Sequence, residues 1–169
     1  NFPGGNGERL IPGLEKDFLV QDGSSVYEYD VKTQTTEELL TWLDSDINGN
    51  YVQGFGALED GRILAVTMDW ETNDNAIALL TKKKSSEVPQ KEVIVVGSLY
   101  GGSDIQAEAV KFNKSNEKYR ISIRSYLDFN NWSGNEDDYR AYIADGINRM
   151  NTDITSSNCP DILDLSGLN

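Results

Sequence analysis

The spacing of apolar residues changes near the middle of the chain, and this change limits the folds that the sequence can adopt. Residues 18–82 alternate with the two-residue period of β-strands, whereas residues 93–165 combine short apolar runs with helical spacing. Between the two regions, residues 82–92 (KKKSSEVPQKE) are polar and charged and include a proline, as is typical of a boundary. We therefore predict two domains, residues 1–86 and residues 87–169.

The first region predicts antiparallel β structure. Six short strand-like segments between Phe18 and Leu80 are separated by turn signals such as Asp22-Gly23 and Asp60-Gly61. The stretches QDGSSVYEYD and EDGRILAVTMD resemble each other, because each has an Asp-Gly turn, a β-rich run and a late acidic residue. Repeats of this kind are typical of propeller blades. We therefore predict a propeller-blade-like antiparallel segment.

The second region predicts alternating strands and helices. Residues 93–96 form a β-branched run, residues 119–126 alternate strictly, and residues 161–165 read as a third strand. Helical spacing follows each of the first two strands, at Ile105/Ala109/Phe112 and at Tyr139/Ile143/Ile147/Met150/Ile154. Right-handed crossovers then predict a parallel sheet in the order 2-1-3 with flanking helices. The fold class is therefore mixed, antiparallel β followed by βαβαβ.

Charge and composition exclude several functions. Fifteen basic against 28 acidic side chains give a net charge of −13, which argues against a nucleic-acid partner. The chain has no histidine, so it contains neither a Ser-His-Asp triad nor a histidine zinc site. Cys159 is the single cysteine, and we expect it to be a buried structural thiol. We expect no enzyme activity and no cofactor.

The stretch DSDINGN, residues 44–50, resembles the start of a calcium loop. Asp44, Asp46 and Asn48 occupy the first three ligand positions of an EF-hand, and Gly49 follows them. However, Phe55 stands where the loop needs its bidentate acid, and the flanks are predicted strands. A turn between strands is the favoured interpretation, and Asp44, Asp46 and Asn48 remain the alternative metal ligands.

A glycine-rich loop, GSLYGGS, joins the first strand of the second region to its helix. Its glycines do not fit G-x-G-x-x-G, and no Lys-Ser/Thr pair follows, so the loop is a poor phosphate cradle. Two interpretations remain open. The loop either permits a tight turn or lines a ligand cleft, since such loops lie at the carboxyl end of the sheet.

Several segments in this order carry a family resemblance: residues 109–116 (AVKFNKSN), 119–126 (YRISIRSY) and 151–166, which end in PDILDLS. Together they make residues 91–169 resemble the start of an extracellular solute-binding protein of a carbohydrate ABC transporter. The first region resembles the propeller-like segment that some Firmicutes place before such a domain. The resemblance implies that residues 87–169 are part of the first lobe of a periplasmic-binding-protein-like, three-layer α/β domain.

The family resemblance also implies a ligand cleft at the carboxyl ends of the strands. Sugars are held there by aromatic faces and by carboxylates or amides that bond their hydroxyl groups. The expected ligand-binding residues are Ser98, Leu99, Tyr100, Asp104, Asp128, Phe129, Asn130, Trp132, Asp164 and Ser166. Asp104 could instead be a first-turn acid that faces the helix dipole, and Trp132 could only pack the loop.

The resemblance further implies a function and a location. The intact protein would capture a solute, expected to be a carbohydrate, at the surface of a Gram-positive bacterium as a lipoprotein, and deliver it to an ABC permease. Members of the family have a second lobe and a lipid-bearing cysteine, so we expect this chain to be a fragment that self-associates through uncovered sheet edges. The alternative function is a cell-surface interaction module built on the propeller strands.

Overall fold

A computed structural model describes residues 11–69, 72–127 and 135–166. The chain divides into two units, Asn1–Pro89 (unit 1) and Gln90–Asn169 (unit 2). The sequence-based boundary lies between residues 86 and 87. Each unit has its own sheets and its own apolar core.

Unit 1 consists of two antiparallel sheets, which confirms the antiparallel β prediction. The first sheet has the order β1-β2-β3-β4, with β1 (Ile11–Pro12), β2 (Phe18–Gln21), β3 (Ser25–Asp30) and β4 (Thr35–Thr41). The second has the order β5-β6-β7, with β5 (Val52–Ala57), β6 (Ile63–Met68) and β7 (Asn75–Leu80). The six predicted strands are present, and β1 is an addition. The propeller-like arrangement stays a prediction.

The two Asp-Gly turns of unit 1 lie where the sequence predicts them. Gly23 and Gly61 have φ angles of 86° and 83°, a left-handed conformation that glycine adopts without a Cβ clash. The preceding aspartates, Asp22 and Asp60, each accept a hydrogen bond from the backbone N–H two residues further on, at 3.0 and 3.2 Å. The side chain therefore closes the turn and the glycine supplies its backbone conformation.

The two sheets of unit 1 share one apolar core. Trp42 lies at its centre, fully buried, with its ring edge-to-face against Phe55 at a centroid distance of 5.6 Å. The other buried members come from both sheets and the connection between them, namely Leu19, Val26, Ile47, Ile63 and Ala65. The inward faces of the two sheets therefore pack against each other.

Unit 2 is a three-stranded parallel sheet with two helices. Its elements are β8 (Glu92–Ser98), α1 (Ser103–Ser115), β9 (Tyr119–Ser125), α2 (Glu136–Ile154) and β10 (Ile162–Asp164), and the strand order is β10-β8-β9. Both strand pairs are parallel, so the predicted 2-1-3 order is confirmed. Neither α1 nor α2, the helices of the described part of the chain, is long and apolar enough to cross a membrane.

The core of unit 2 lies between α2 and the end of the sheet. It contains Leu99, Tyr126, Leu127, Tyr142 and Met150, all buried. Cys159 is exposed, so the prediction of a buried thiol is wrong. The reason is that the neighbouring residue, Pro160, packs inward and is buried. Its ring lies so close to Gly97 that a Cβ on this glycine would come within 2.7 Å of it.

Candidate functional site

The carboxyl ends of β8 and β10 meet at one edge of the parallel sheet. Ser98 and Asp164 are paired in register as the last residues of these strands, and Ser98 is also paired with Ser125 of β9. In α/β sheets of this order, ligands generally bind in a crevice outside the carboxyl ends of strands 1 and 3. The structure brings Ser98 and Asp164 together at the edge where this rule places the crevice.

Ser98 holds Asp164 in place. The Ser98 hydroxyl donates a hydrogen bond to Asp164 Oδ2 at 2.8 Å and accepts one from the Gly101 N–H at 3.0 Å. Because Ser98 is only 2% exposed and its hydroxyl is engaged, it positions the carboxylate and the loop and does not face a ligand directly.

Asp164 is held as an ionised hydrogen-bond acceptor. Hydrogen bonds from the hydroxyl and the N–H of Ser166, together with the one from the Ser98 hydroxyl, lower the pKa of Asp164. The Ser166 N–H lies 3.0 Å from Oδ1. At neutral pH this side chain can therefore accept hydrogen bonds from hydroxyl or amine donors but cannot donate one.

The loop after β8 needs glycine at position 101. Gly101 has a φ of 55°, and a Cβ at this position would lie 3.0 Å from the Cβ of Ser125. Both the left-handed backbone and the close approach to the end of β9 disfavour any larger residue. The tight-turn interpretation of the loop and its position beside the crevice are therefore compatible.

Tyr100, in the loop after β8, and Tyr139, on α2, provide aromatic surface beside this edge. A hydrogen bond to Tyr139 raises the pKa of Tyr100, and burial raises it further. The rings of Tyr139 and Tyr142 lie 6.5 Å apart at an angle of 40°. Sequence reasoning missed Tyr139 as a site residue because it fits the apolar spacing of α2. The signal that could have indicated it is the polar phenol hydroxyl, since the other residues of this stripe are three isoleucines and a methionine.

The remaining predicted site residues differ in accessibility. Leu99 is 1% exposed and belongs to the core of unit 2, so its side chain is not available to a ligand in this conformation. Asp104 is exposed in the first turn of α1, and Ser166 is exposed beside Asp164. The other four predicted residues, Asp128, Phe129, Asn130 and Trp132, lie outside the described residues.

The calcium-like stretch forms the connection between β4 and β5, as the turn interpretation predicts. It contains two short 3-10 turns, Leu43–Ser45 and Gly49–Tyr51. The side-chain Oδ1 of Asn48 accepts the Asn50 N–H at 3.1 Å, and Asp46 has a left-handed φ of 57°. Across residues 11–69, 72–127 and 135–166, no group of three or more His, Cys, Asp or Glu side chains is placed to hold a metal ion.

Unit 1 contains a cavity that sequence reasoning missed. Its volume is about 790 Å³, and its lining comes from both sheets and from the loop after β1. We call it the unit 1 cavity. The residues that line it are Ile11 to Glu15, Glu28, Glu37 to Leu40, Ser45, Gly56 to Glu59, Gly61, Ile63 and Leu80 to Lys82. These segments are far apart in the sequence, so no local pattern points to the cavity.

No family model, curated protein or solved structure matches the chain. The resemblance to solute-binding proteins therefore stays a prediction from the sequence, and the candidate site rests on its geometry.

Proposed function

We propose that unit 2 is part of a solute-binding protein that captures a carbohydrate outside the cell for an ABC importer. The observation that carries the proposal is the Ser98–Asp164 hydrogen bond of 2.8 Å at the crevice between β8 and β10. Parallel sheets of this order bind ligands at this place, and an ionised carboxylate there accepts hydrogen bonds from sugar hydroxyl groups.

The residues around the crevice have separate roles in this proposal. Asp164 accepts hydrogen bonds from the sugar, and Ser98 holds its carboxylate in position. Tyr100 and Tyr139 present aromatic rings to the C–H faces of the sugar. Binding requires no nucleophile and no general base, which agrees with a chain that has no histidine.

The proposal includes a setting for the intact protein. A second lobe closes over the sugar, the ABC permease receives it, and the protein is held at the cell surface as a lipoprotein. Because one lobe contacts only part of a ligand, this chain alone binds the sugar weakly.

A second candidate function is a cell-surface interaction module. The observation that favours it is the exposed apolar surface of β7, the last strand of its sheet. Ile77 and Leu79 are 73% and 46% exposed and point to the same side of the strand. Exposed apolar residues on an edge strand favour pairing with another chain.

Chemical-shift perturbation of this chain with a panel of neutral oligosaccharides tests the first function. We expect small, saturable shifts at the amides of Ser98, Gly101 and Ser166, which disappear in Asp164→Asn. Asp145→Asn is the matched control, because Asp145 is an exposed acid on α2 that pairs with Arg149. Shifts that survive Asp164→Asn would contradict the proposed site.

A double substitution on β7 tests the interaction-module function separately from sugar binding. If the chain forms dimers through β7, Ile77→Lys combined with Leu79→Lys returns it to a monomer in light scattering. The sugar-induced shifts in unit 2 stay unchanged in the same variant. Dimers that persist in this variant would exclude β7 as the contact surface.

A further inference from the structure

The unit 1 cavity has the size and mixed lining of a small-molecule site. Its volume of about 790 Å³ lies within the range of ligand pockets. Leu40, Ile63 and Leu80 supply apolar lining and also pack against the core that the two sheets share. Glu28 and Glu37 supply charged lining and lie directly opposite each other on β3 and β4. Directly opposite residues of an antiparallel pair share one face of the sheet.

Glu28 is a buried carboxylate with one oxygen still available. Only 7% of the residue is exposed. Its Oε1 accepts backbone N–H groups of Leu14, Glu15 and Lys16 at 2.8, 2.8 and 3.4 Å. Among the described residues no protein donor reaches Oε2, and Oε2 is not one of the fully buried side-chain atoms that lack a partner, so it stays accessible where Glu28 lines the cavity. An accessible carboxylate oxygen can accept a hydrogen bond from a ligand in the cavity.

The charge of the cavity lining determines which sign of charge a ligand can carry. Five glutamates and one lysine, Lys82, line the cavity. Glu37 also has a partner, since Lys16 Nζ lies 2.7 Å from its Oε2. The remaining excess of carboxylates attracts cations and repels anions. Apolar walls and a buried carboxylate together match a molecule with an ammonium group on an apolar chain.

We propose that the unit 1 cavity binds an organic cation of this kind. The ammonium group donates a hydrogen bond to Glu28 Oε2, and the apolar chain lies along Leu40, Ile63 and Leu80. The site belongs to unit 1 and is independent of the carbohydrate site proposed in unit 2.

A matched series of six-carbon probes on the full chain tests the proposal. n-Hexylammonium, 1-hexanol and hexanoate differ in the head group and share the apolar chain. We expect saturable amide shifts at Glu15, Lys16 and Ile63 with n-hexylammonium. The alcohol should bind at least about ten-fold more weakly, and hexanoate should not bind, because only the cation pairs with Glu28.

Glu28→Gln isolates the charge. The glutamine carbonyl can still accept the loop N–H groups, so the variant removes the charge and keeps the acceptor. We expect n-hexylammonium affinity to fall at least about ten-fold, to the level of 1-hexanol. Glu117→Gln, at an exposed glutamate of unit 2, is the control and should bind as the parent chain does.

The proposal fails if n-hexylammonium and 1-hexanol bind equally to the parent chain, or if Glu28→Gln binds the cation unchanged. If Glu28→Gln does not fold, Ala57→Leu provides the second test, because Ala57 lines the cavity and a larger side chain there reduces its volume. Loss of n-hexylammonium binding with an unchanged circular dichroism spectrum supports the site. Undiminished binding in Ala57→Leu overturns it.

Discussion

The side-chain amide of Asn113 and the backbone of Ile121 exchange two hydrogen bonds. The Asn113 Nδ2 donates to the Ile121 carbonyl at 3.0 Å, and the Ile121 N–H donates to Asn113 Oδ1 at 2.7 Å. Ile121 lies on β9, an edge strand of the parallel sheet. A helix side chain therefore does at this point what a neighbouring strand would do. Self-association through the β9 edge would have to displace this pair.

Asn113→Ala should destabilise unit 2 by about 2–4 kcal/mol, because Asn113 is fully buried and two backbone groups lose their partner. Urea unfolding followed by circular dichroism gives this free energy, and hydrogen exchange should show faster exchange of the Ile121 amide. Lys114→Ala, at the exposed next position of α1, should change stability by less than about 0.5 kcal/mol. Equal effects of the two substitutions would refute the role of the amide.

Asp153 connects α2 to β9, and its removal should be more costly than that of a surface aspartate on the same helix. Its Oδ2 accepts hydrogen bonds from Arg124 Nη1 at 2.9 Å and from the buried Tyr126 hydroxyl at 3.0 Å. We expect Asp153→Ala to cost about 1–3 kcal/mol of unfolding free energy. Asp145→Ala breaks an exposed i,i+4 pair with Arg149 and should cost about 0.5 kcal/mol or less. The same urea experiment measures both, and a reversed order would contradict this network.

Tyr27 should titrate at unusually high pH. Burial, followed by its hydrogen bond to Asp22, raises the pKa of Tyr27 to about 12. Because the folded pKa exceeds the unfolded value of about 10, the stabilisation is complete below pH 10 and is lost as the pH rises toward 12. NMR titration of the Tyr27 ring carbons checks the value. In Asp22→Asn the pKa should fall, and an unchanged titration would show that Asp22 contributes nothing.

Asp164 should contribute to the loss of unit 2 stability at acid pH. Its pKa is lowered in the folded state by hydrogen bonds from Ser166 and Ser98, so its stabilisation is present above the unfolded value of about 3.9 and is lost as the pH falls below it. NMR titration of the side-chain carboxyl should show the pKa moving up toward its ordinary value in Ser98→Ala. Asn48→Ala, in unit 1, is the control and should leave the titration unchanged.

Local patterns predicted the elements of this fold, and contacts between distant segments determined the sites. Strand period, Asp-Gly turns and crossover handedness were sufficient for the strands other than β1, because each depends on nearby segments of the chain. The two sites depend on hydrogen bonds between residues far apart in the sequence. Ser98 donates to Asp164, and Glu28 accepts from the Leu14 N–H. The exposure of Cys159 likewise depends on where Pro160 packs.

Calcium should not stabilise the chain through residues 44–50. Asn48 already accepts the Asn50 N–H, and the backbone of the stretch is closed into two turns. A calcium ion at a hundred times its dissociation constant would add about 2.7 kcal/mol, which thermal unfolding detects easily. We expect the same Tm with and without millimolar calcium. A rise of several degrees that Asp46→Ala abolishes would restore the metal-site interpretation.

Gly49, the glycine that completes the calcium-like pattern, is required for a different reason. A Cβ at this position would lie 1.9 Å from the Gly23 carbonyl oxygen and 2.7 Å from Trp42 Cδ1. Any homologue with the same packing must therefore keep glycine here, whatever it carries at positions 44, 46 and 48. Homologues that retain the glycine while their acidic residues vary would show that the likeness to a calcium loop arose from steric selection on the backbone.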